Sequence, residues 1–322
     1  MVMATPRMLV FLIAACLSAS WQQVSAQSAR TIKIIVPVPP GASTDSTARL
    51  LGEHIGRTQG VNVVIENRPG ASGMIGTEAA SRAAPDGNTV LLTAVTYLID
   101  AQTRKANYHP VEAFEPICNL TESPTVLVVN SGSPHLTLDD MIVAARRAPG
   151  ELSLASVGPG SQFHLGFNSF TQSAKINMTF VPFPGAAPAV TALLGQHVTS
   201  ALAGYAGVGS SLKSGQLRAL AVATKNRIAA LPDVPTFAES GYQNSEVDNW
   251  FGVIAPRGTP KEAQAELVSW FAASLQDQQV RSKLELQGLI PLGVCGEAFR
   301  RYVSERFDNY GQVIRSFGMM VK

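Results

Sequence analysis

The sequence is poor in the residues that metal, redox and charge-driven functions require. It has three cysteines and five histidines in 322 residues, no Cys-x-x-Cys pair, and no histidine spacing typical of metal ligands. We therefore expect no metal site and no cofactor. The 25 basic and 23 acidic side chains nearly balance, so neither nucleic acid nor an anionic membrane is an expected partner. Two of the cysteines, Cys118 and Cys295, lie beyond residue 26. The sequence does not decide whether they form a disulfide or remain two buried thiols.

Long apolar runs are also missing: beyond residue 26 no stretch of about 18 apolar residues exists that would cross a bilayer. Residues 1–26 have the parts of an export signal, with a positive start at Arg7, the apolar run Met8–Ala15, and small residues up to Ala26. Cleavage after Ala26 predicts a periplasmic protein. The lipobox-like Ile13-Ala14-Ala15-Cys16 is the alternative, with a lipid on Cys16. Both interpretations export the chain.

β-rich runs alternate with helical patterns along the rest of the chain. Behind the first run, Ala48, Leu51 and Ile55 recur at helical spacing. Predicted strands span 32–36, 61–65, 89–92, 125–129, 152–156, 178–181, 217–223 and 250–254. Predicted helices span 44–58, 74–84, 138–147, 161–171, 261–277 and 298–317. This alternation predicts the α/β class, with parallel sheets covered on both faces.

Two Gly/Pro-rich loops, Val36–Asp45 and Ala155–His164, each follow a predicted strand and open a predicted helix. Ligands of doubly wound sheets bind at the carboxyl ends of strands, where helix N-termini attract anions. Glycine lets the backbone approach a ligand, and Ser or Thr adds a hydroxyl. One such loop from each half would hold a carboxylate from two sides. Taken alone, Thr44 and Ser161 are more often ordinary helix N-caps, and Asp45 is also interpretable as a first-turn acid that touches no ligand.

Enzyme motifs are not completed in this chain. Neither loop supplies the Gly-Lys-Ser/Thr of a phosphate-binding loop, and Gly70-Ala71-Ser72-Gly73 fails the Gly-x-Ser-x-Gly spacing. His164 has no evident nucleophile or orienting acid beside it in the sequence. We therefore predict that the protein is not an enzyme, with a small exported hydrolase as the remote alternative.

Seven short motifs follow one another from about Ile32 to the C-terminal helix. They are Ile35-Val36-Pro37 through Pro39-Pro40-Gly41 to Asp45; Glu66 to Ala71 with Gly73 and Gly76; Ala84-Pro85-Asp86-Gly87; Ser156-x-Gly158-x-Gly160-Ser161 with His164; Leu231 to Thr236; Trp250-Phe251-Gly252; and Ala255-Pro256-x-Gly258-Thr259-Pro260. In this order they resemble the receptor family of tripartite tricarboxylate transporters, the Bug receptors. The resemblance implies a two-lobed, type II-like periplasmic binding protein fold, each lobe a doubly wound sheet with flanking helices. Residues 27–125 and 250–322 would form lobe one and residues 126–249 lobe two, with the ligand cleft between them.

The resemblance also implies a role: a periplasmic solute-binding receptor, expected to be monomeric, that captures a small organic carboxylate and delivers it to the permease subunits of a tripartite transporter. A sensory binding protein of the same fold is the alternative. The ligand-binding residues that the resemblance implies are Pro40, Gly41, Ala42, Ser43, Thr44, Asp45, Ser156, Gly158, Gly160, Ser161 and His164.

Four departures from the family pattern bear on the ligand. Val38 stands where the family usually has an aromatic residue, and Ala42 where it has a second glycine. Phe183-Pro184 replaces a tyrosine and a cation, and Thr199 replaces an acid that could pair with an amine. With Phe183 and Thr199 added to the site, these changes predict a more apolar cleft. The expected ligand is an aromatic dicarboxylate such as terephthalate, with citrate-like and aliphatic dicarboxylates as alternatives.

Overall fold

The computed structural model describes residues 30–243, 245–247 and 249–319, so the predicted signal peptide and Cys16 lie outside the described residues. The strands of this part are β1 (Thr31–Val36), β2 (Asn62–Asn67), β3 (Thr89–Ala94), β4 (Phe114–Glu122), β5 (Thr125–Asn130), β6 (Ser153–Val157), β7 (Thr179–Phe183), β8 (Ser200–Gly204), β9 (Leu217–Val222), β10 (Trp250–Pro256) and β11 (Ile290–Cys295). Its α-helices are α1 (Ser43–Gln59), α2 (Met74–Ser81), α3 (Thr96–Thr103), α4 (Leu138–Arg147), α5 (Gln162–Ala174), α6 (Ala186–Leu194), α7 (Tyr205–Lys213), α8 (Lys261–Gln276), α9 (Gln278–Leu286) and α10 (Glu297–Ser316). The chain is of the α/β class, as predicted.

The first sheet has the strand order β11-β4-β10-β3-β1-β2, and we call this sheet with its helices lobe one. Strand β1 runs parallel to β2 and β3, whereas β10 is antiparallel to β3 and β4. The predicted apolar face of α1 is buried against this sheet, with Leu51 fully inaccessible and Ala48 and Ile55 beside it. Because β1, β2 and β3 point the same way, the loops that follow them meet at one edge of the sheet.

The second sheet has the order β7-β6-β8-β5-β9, and we call it with its helices lobe two. Here β6 is parallel to β7 and β8, and β5 is antiparallel to β8 and β9. Phe163, Phe167 and Phe170 of α5 lie at i, i+4 and i+7 and are buried in the core of this lobe. The carboxyl ends of β6 and β7 therefore lie at the edge where α5 begins.

The chain crosses between the sheets twice, from β4 to β5 and from β9 back to β10. The Ser123 backbone amide of the first crossing donates to the Asn249 carbonyl of the second, at 2.8 Å. The Asn249 side-chain amide donates in turn to the Ser123 carbonyl, at 3.2 Å. This pair ties the two crossing segments side by side.

Cys118 on β4 and Cys295 on the edge strand β11 are joined by a disulfide. The two residues are register partners in the antiparallel β4–β11 pair. The sequence left open whether these cysteines form a disulfide or two buried thiols, and the structure contains the disulfide. It fastens the last strand to the sheet across a separation of 177 residues, and cross-links of long loops restrict the unfolded chain most.

Two further observations concern the described ranges as a whole. None of their helices is both long and apolar enough to cross a membrane. Within the same ranges, no group of three or more His, Cys, Asp or Glu side chains is placed to hold a metal ion.

Candidate functional site

The two sequence-predicted loops lie where parallel strands end, one in each lobe. Loop one, residues 37–42, connects the end of β1 to α1, and loop two, residues 158–161, connects the end of β6 to α5. Gly41 and Gly160 have φ angles of +88° and +84°, which favour glycine at these positions. Pro40, Gly41 and Ser43 are exposed and Ala42 is half-buried, so the backbone of loop one remains accessible.

Asp45 holds loop one in shape. Its carboxylate accepts hydrogen bonds from the Gly41 amide at 2.8 Å, from Arg49 Nε at 3.0 Å, and from Asn67 Nδ2 at 2.8 Å. Asn67 Nδ2 also donates to the Val38 carbonyl at 3.1 Å. Burial alone would raise the pKa of Asp45, but these hydrogen bonds lower it below its ordinary value. Both carboxylate oxygens are occupied within the loop, as expected for a loop-shaping acid.

Helix α1 begins behind loop one without a side-chain cap, since Ala42 occupies the N-cap position. Thr44, one of the two predicted capping residues, is instead the second residue of the helix and is buried. An α-helix leaves its first amide groups without intrahelical partners, and the helix dipole makes this end attractive to an anion. The start of α1 therefore supplies backbone donors that the side chains of the loop do not consume.

In loop two the hydroxyl groups are engaged by the protein itself. Ser161 is the N-cap of α5: its Oγ accepts from the His164 amide at 3.2 Å and donates to the Val157 carbonyl at 2.9 Å. Ser156 Oγ donates to the Leu202 carbonyl at 2.6 Å and is buried. The capping interpretation therefore holds for Ser161, and backbone groups are the remaining donors of this loop.

His164 and Phe183 border loop two on its two sides. His164 Nδ1 accepts from the Gly160 amide at 3.3 Å, and its ring lies 4.4 Å from that of Phe180. Burial lowers the pKa of His164, which favours the neutral imidazole. Phe183 ends β7, and its carbonyl accepts from the Gly158 amide at 3.0 Å. The structure thus brings the predicted Phe183 next to Gly158, and His164 next to Gly160.

Helix α3 connects the two halves of the site, a role that the sequence did not indicate. Arg104, directly after α3, extends Nη2 to within 3.4 Å of the Pro159 carbonyl in loop two. A Cβ added to Gly160 would lie 3.3 Å from Thr103 Oγ1. The end of a lobe-one helix is therefore packed against the lobe-two loop.

The other half of α3 lines a narrow pocket with loop one. The pocket is bounded by Pro37 and Val38 of loop one, by Thr44 of α1, and by residues of α2, β3, α3 and the segments beside them. The remaining lining residues are Ser72, Gly73, Met74, Thr77, Thr93, Ala94, Thr96, Tyr97, Asp100 and Tyr108. Asp100 is 4% exposed, and burial raises its pKa to about 7 although Arg104 opposes the shift. A titratable group thus lies beside Thr44 where the sequence suggested none.

Thr199, the remaining predicted site residue, lies elsewhere. It directly precedes β8, and its Oγ1 accepts from the Ser153 amide at 3.1 Å, at the start of β6. Since β6 and β8 are parallel, this is the opposite end of the sheet from loop two, which follows the end of β6. The structure therefore does not bring Thr199 to the other predicted residues, and its position has no bearing on whether the site binds an amine.

Comparisons with known proteins agree with this geometry. The model of the tripartite tricarboxylate transporter family receptor matches residues 47–319. Protein BugT of Bordetella pertussis is 33% identical over 297 residues, which cover 91% of each chain. Among solved structures, the periplasmic binding protein BugD has a TM-score of 0.79 at 30% identity and covers 91% of this chain and 99% of its own. Rpa4515 of R. palustris, solved with adipate, has a TM-score of 0.81 at 30% identity, with 90% and 97% covered.

Two α/β lobes with helix N-termini and glycine-rich loops between them define the class of periplasmic solute-binding proteins, and the likeness to BugD confirms the predicted fold. Within that class, the chain belongs to the receptor family of the tripartite tricarboxylate transporters. This family consists of solute-binding receptors, not of enzymes.

Proposed function

We propose that this protein captures a small dicarboxylate between its two lobes in the periplasm and delivers it to the permease subunits of a tripartite transporter. The observation that carries the proposal is the uncapped start of α1 at loop one, which α3 connects to loop two. Open amide groups at a helix start suit a carboxylate. A ligand that contacts both loops would bind the closed arrangement best and shift the population toward it.

The body of the ligand is proposed to be apolar, with an aromatic dicarboxylate such as terephthalate as the first candidate. Val38 borders the pocket at loop one, and half-buried Phe183 lies beside loop two. Aromatic and aliphatic side chains around a few polar groups are typical of sites for apolar-bodied ligands. An aliphatic dicarboxylate is the second candidate, because the R. palustris relative was solved with adipate.

The side-chain arrangement at loop two supports binding and gives no support to hydrolysis. A hydrolytic serine needs a base that takes its proton. Ser161 instead donates to the Val157 carbonyl, and the Nδ1 atom of His164 accepts from the Gly160 amide. A sensory receptor would use the same binding geometry, and the partner in the membrane would distinguish the two roles.

The ligand class is tested by calorimetric titration of residues 27–322 with citrate, succinate, glutamate, adipate, benzoate, phthalate and terephthalate. We expect a dicarboxylate to bind and benzoate to bind far more weakly. Selective binding of terephthalate supports the apolar cleft, whereas tight adipate or succinate binding retains the receptor and rejects the role of Phe183. If the folded protein binds none of these compounds, the carboxylate proposal is rejected.

The role of α1 is tested by Thr44→Ala. Loss of the hydroxyl beside the open helix start should weaken dicarboxylate binding by about 1 kcal/mol, or roughly fivefold. Thr191→Ala is the matched control, because Thr191 is an exposed helical threonine of lobe two whose hydroxyl donates to the Ala187 carbonyl within its own helix. Equal affinities of the two variants would remove Thr44 from the site.

Export and processing are tested on the full-length chain. The proposal expects the protein in the periplasmic fraction, with Gln27 as the first residue by mass spectrometry. A lipid-modified Cys16 would support the alternative processing, and retention of Met1 in the cytoplasm would reject the proposed location.

A further inference from the structure

The narrow pocket of lobe one is unusual for an anion site, because several polar side chains line it and none of them is a cation. Its side-chain polar groups are serine, threonine and tyrosine hydroxyls and the carboxyl group of Asp100. The free space accommodates roughly two water-sized groups, which is about the size of the two oxygen atoms of a carboxylate. Thr44 is one of its lining residues, so the pocket lies next to the proposed anion-binding start of α1.

One hydroxyl group in the pocket remains without a protein partner. Tyr97 is 3% exposed and its hydroxyl has no hydrogen-bond partner among the described residues, whereas the Tyr108 hydroxyl lies beside that of Thr77, which opposes the rise of its pKa. Burial raises the pKa of Tyr97 strongly and that of Tyr108 to about 12, so both hydroxyls keep their protons. Buried hydroxyl groups of native proteins are usually bonded, and the unpartnered Tyr97 hydroxyl in a pocket indicates a polar ligand group.

Asp100 adds a carboxyl group whose charge depends on its surroundings. Its nearest countercharge is Arg104, with Nε 3.3 Å from Oδ1, but the Arg104 side chain is 41% exposed and is screened by water. The other titratable groups on this side are the two tyrosines and Glu78 of α2, and the negative charges of Asp100 and Glu78 both oppose ionisation of Tyr108. Glu78 itself is paired with Arg82. Burial therefore shifts Asp100 toward its neutral acid form, which predominates below about pH 7.

We propose that this pocket receives the second carboxylate of the ligand, with Asp100 in its protonated form and the Tyr97 and Tyr108 hydroxyls as hydrogen-bond donors. The first carboxylate binds at the start of α1, as the proposed function requires and as this inference assumes. The proton comes from solvent and remains on Asp100, so at a pH above the pKa of Asp100 each dicarboxylate binds together with one proton. An ionised Asp100 would repel the same group.

The sign of the pH dependence follows from the group that must be protonated. The affinity is proportional to the fraction of Asp100 that carries a proton in the free protein, which falls as the pH rises through its pKa near 7. Between about pH 6 and about pH 8 we expect dicarboxylate affinity to fall roughly tenfold. Carboxylic acids with ordinary pKa values near 4 are already ionised over this range, so the ligand contributes little.

The experiment measures dicarboxylate affinity and proton uptake by calorimetry at several pH values, in buffers of different ionisation enthalpy. The probe is whichever of terephthalate or adipate binds more tightly. Wild-type protein should take up close to one proton per ligand at about pH 8 and almost none at about pH 6. Asp100→Asn, whose amide donates at every pH, should bind with constant affinity and without proton uptake. Asp139→Asn, an exposed acid at the start of α4, is the control that should behave as wild type.

Other outcomes separate this inference from the proposed function. Dicarboxylate binding without pH dependence or proton uptake overturns the inference and keeps the receptor. Affinity that rises with pH for an amine-bearing ligand and is lost in Asp100→Asn also overturns it, since Asp100 would then bind a cation. If Asp100→Asn does not fold, Tyr97→Phe should weaken dicarboxylate binding several-fold and leave benzoate unchanged; equal loss for both ligands contradicts the inference. Silence of the whole ligand panel overturns both proposals.

Discussion

Gly160 provides a test of whether α3 and loop two are in contact when the ligand is bound. A Cβ at Gly160 would lie 3.3 Å from Thr103 Oγ1, and that hydroxyl donates to the Ile99 carbonyl at 3.0 Å. Thr103 therefore cannot turn away without losing a hydrogen bond worth about 1 kcal/mol. Gly160→Ala should also strain the backbone by about 1–2 kcal/mol, because φ is +84°. We expect the strain to affect stability, and the contact between the lobes to affect the affinity for the ligand.

Gly215→Ala separates these two effects. Gly215 has a φ of +73° and open space around its Cβ position, so this variant carries the strain without the contact. We expect the two variants to lose similar thermal stability. Only Gly160→Ala should bind dicarboxylate more weakly, by about fivefold, which corresponds to the loss of about 1 kcal/mol from the Thr103 hydrogen bond. Thr103→Ala in the Gly160→Ala background should restore the affinity. Equal affinities of the two glycine variants in calorimetry would refute the contact in the ligand-bound state.

Two further predictions concern the loops themselves. Asp45→Ala should destabilise the protein by about 3 kcal/mol in denaturant unfolding and abolish binding, because the Gly41 amide and Asn67 lose their acceptor. Since the folded-state pKa of Asp45 is lowered, its contribution to stability is present above the ordinary pKa and should disappear as the pH falls through the lowered value. A wild-type-like unfolding midpoint of the variant would contradict this role. Ser161→Ala should cost about 1 kcal/mol of stability through loss of the α5 cap, with Ser161→Gly costing less; unchanged stability in both variants would exclude the capping role.

The sequence predicted the two loops, eight of the eleven strands and six of the ten α-helices of the described residues, because helical spacing and Gly/Pro-rich strand ends are local signals. Helix α3 was missed, since Tyr97, Leu98, Ile99 and Asp100 are all buried and leave no polar face to create a period. The pocket was missed with it. Thr199 was misplaced because β8 was not predicted either, so the direction of the strand behind it was unknown. Asp45 and Ser161 were predicted as ligand-binding residues, with a first-turn acid and a helix N-cap as the alternatives. In the structure Ser161 caps α5, and the Asp45 carboxylate holds the Gly41 amide of loop one.

Arg104 contacts both the proposed proton-binding group and the opposite lobe, so it should couple ligand protonation to closure. It lies 3.3 Å from the Asp100 carboxylate and 3.4 Å from the Pro159 carbonyl. Its charge opposes protonation of Asp100, which under the proposal should weaken binding, while its contact with Pro159 should strengthen binding. At about pH 8, Arg104→Met should therefore reduce dicarboxylate affinity less in the wild-type protein than in the Asp100→Asn variant. The difference between these two effects, the coupling energy, should be about 0.5 kcal/mol or more. At about pH 6, where Asp100 is already protonated, the coupling should vanish. A double-mutant cycle measured by calorimetry at both pH values checks this, and additive effects at about pH 8 would show that Arg104 does not connect the two events.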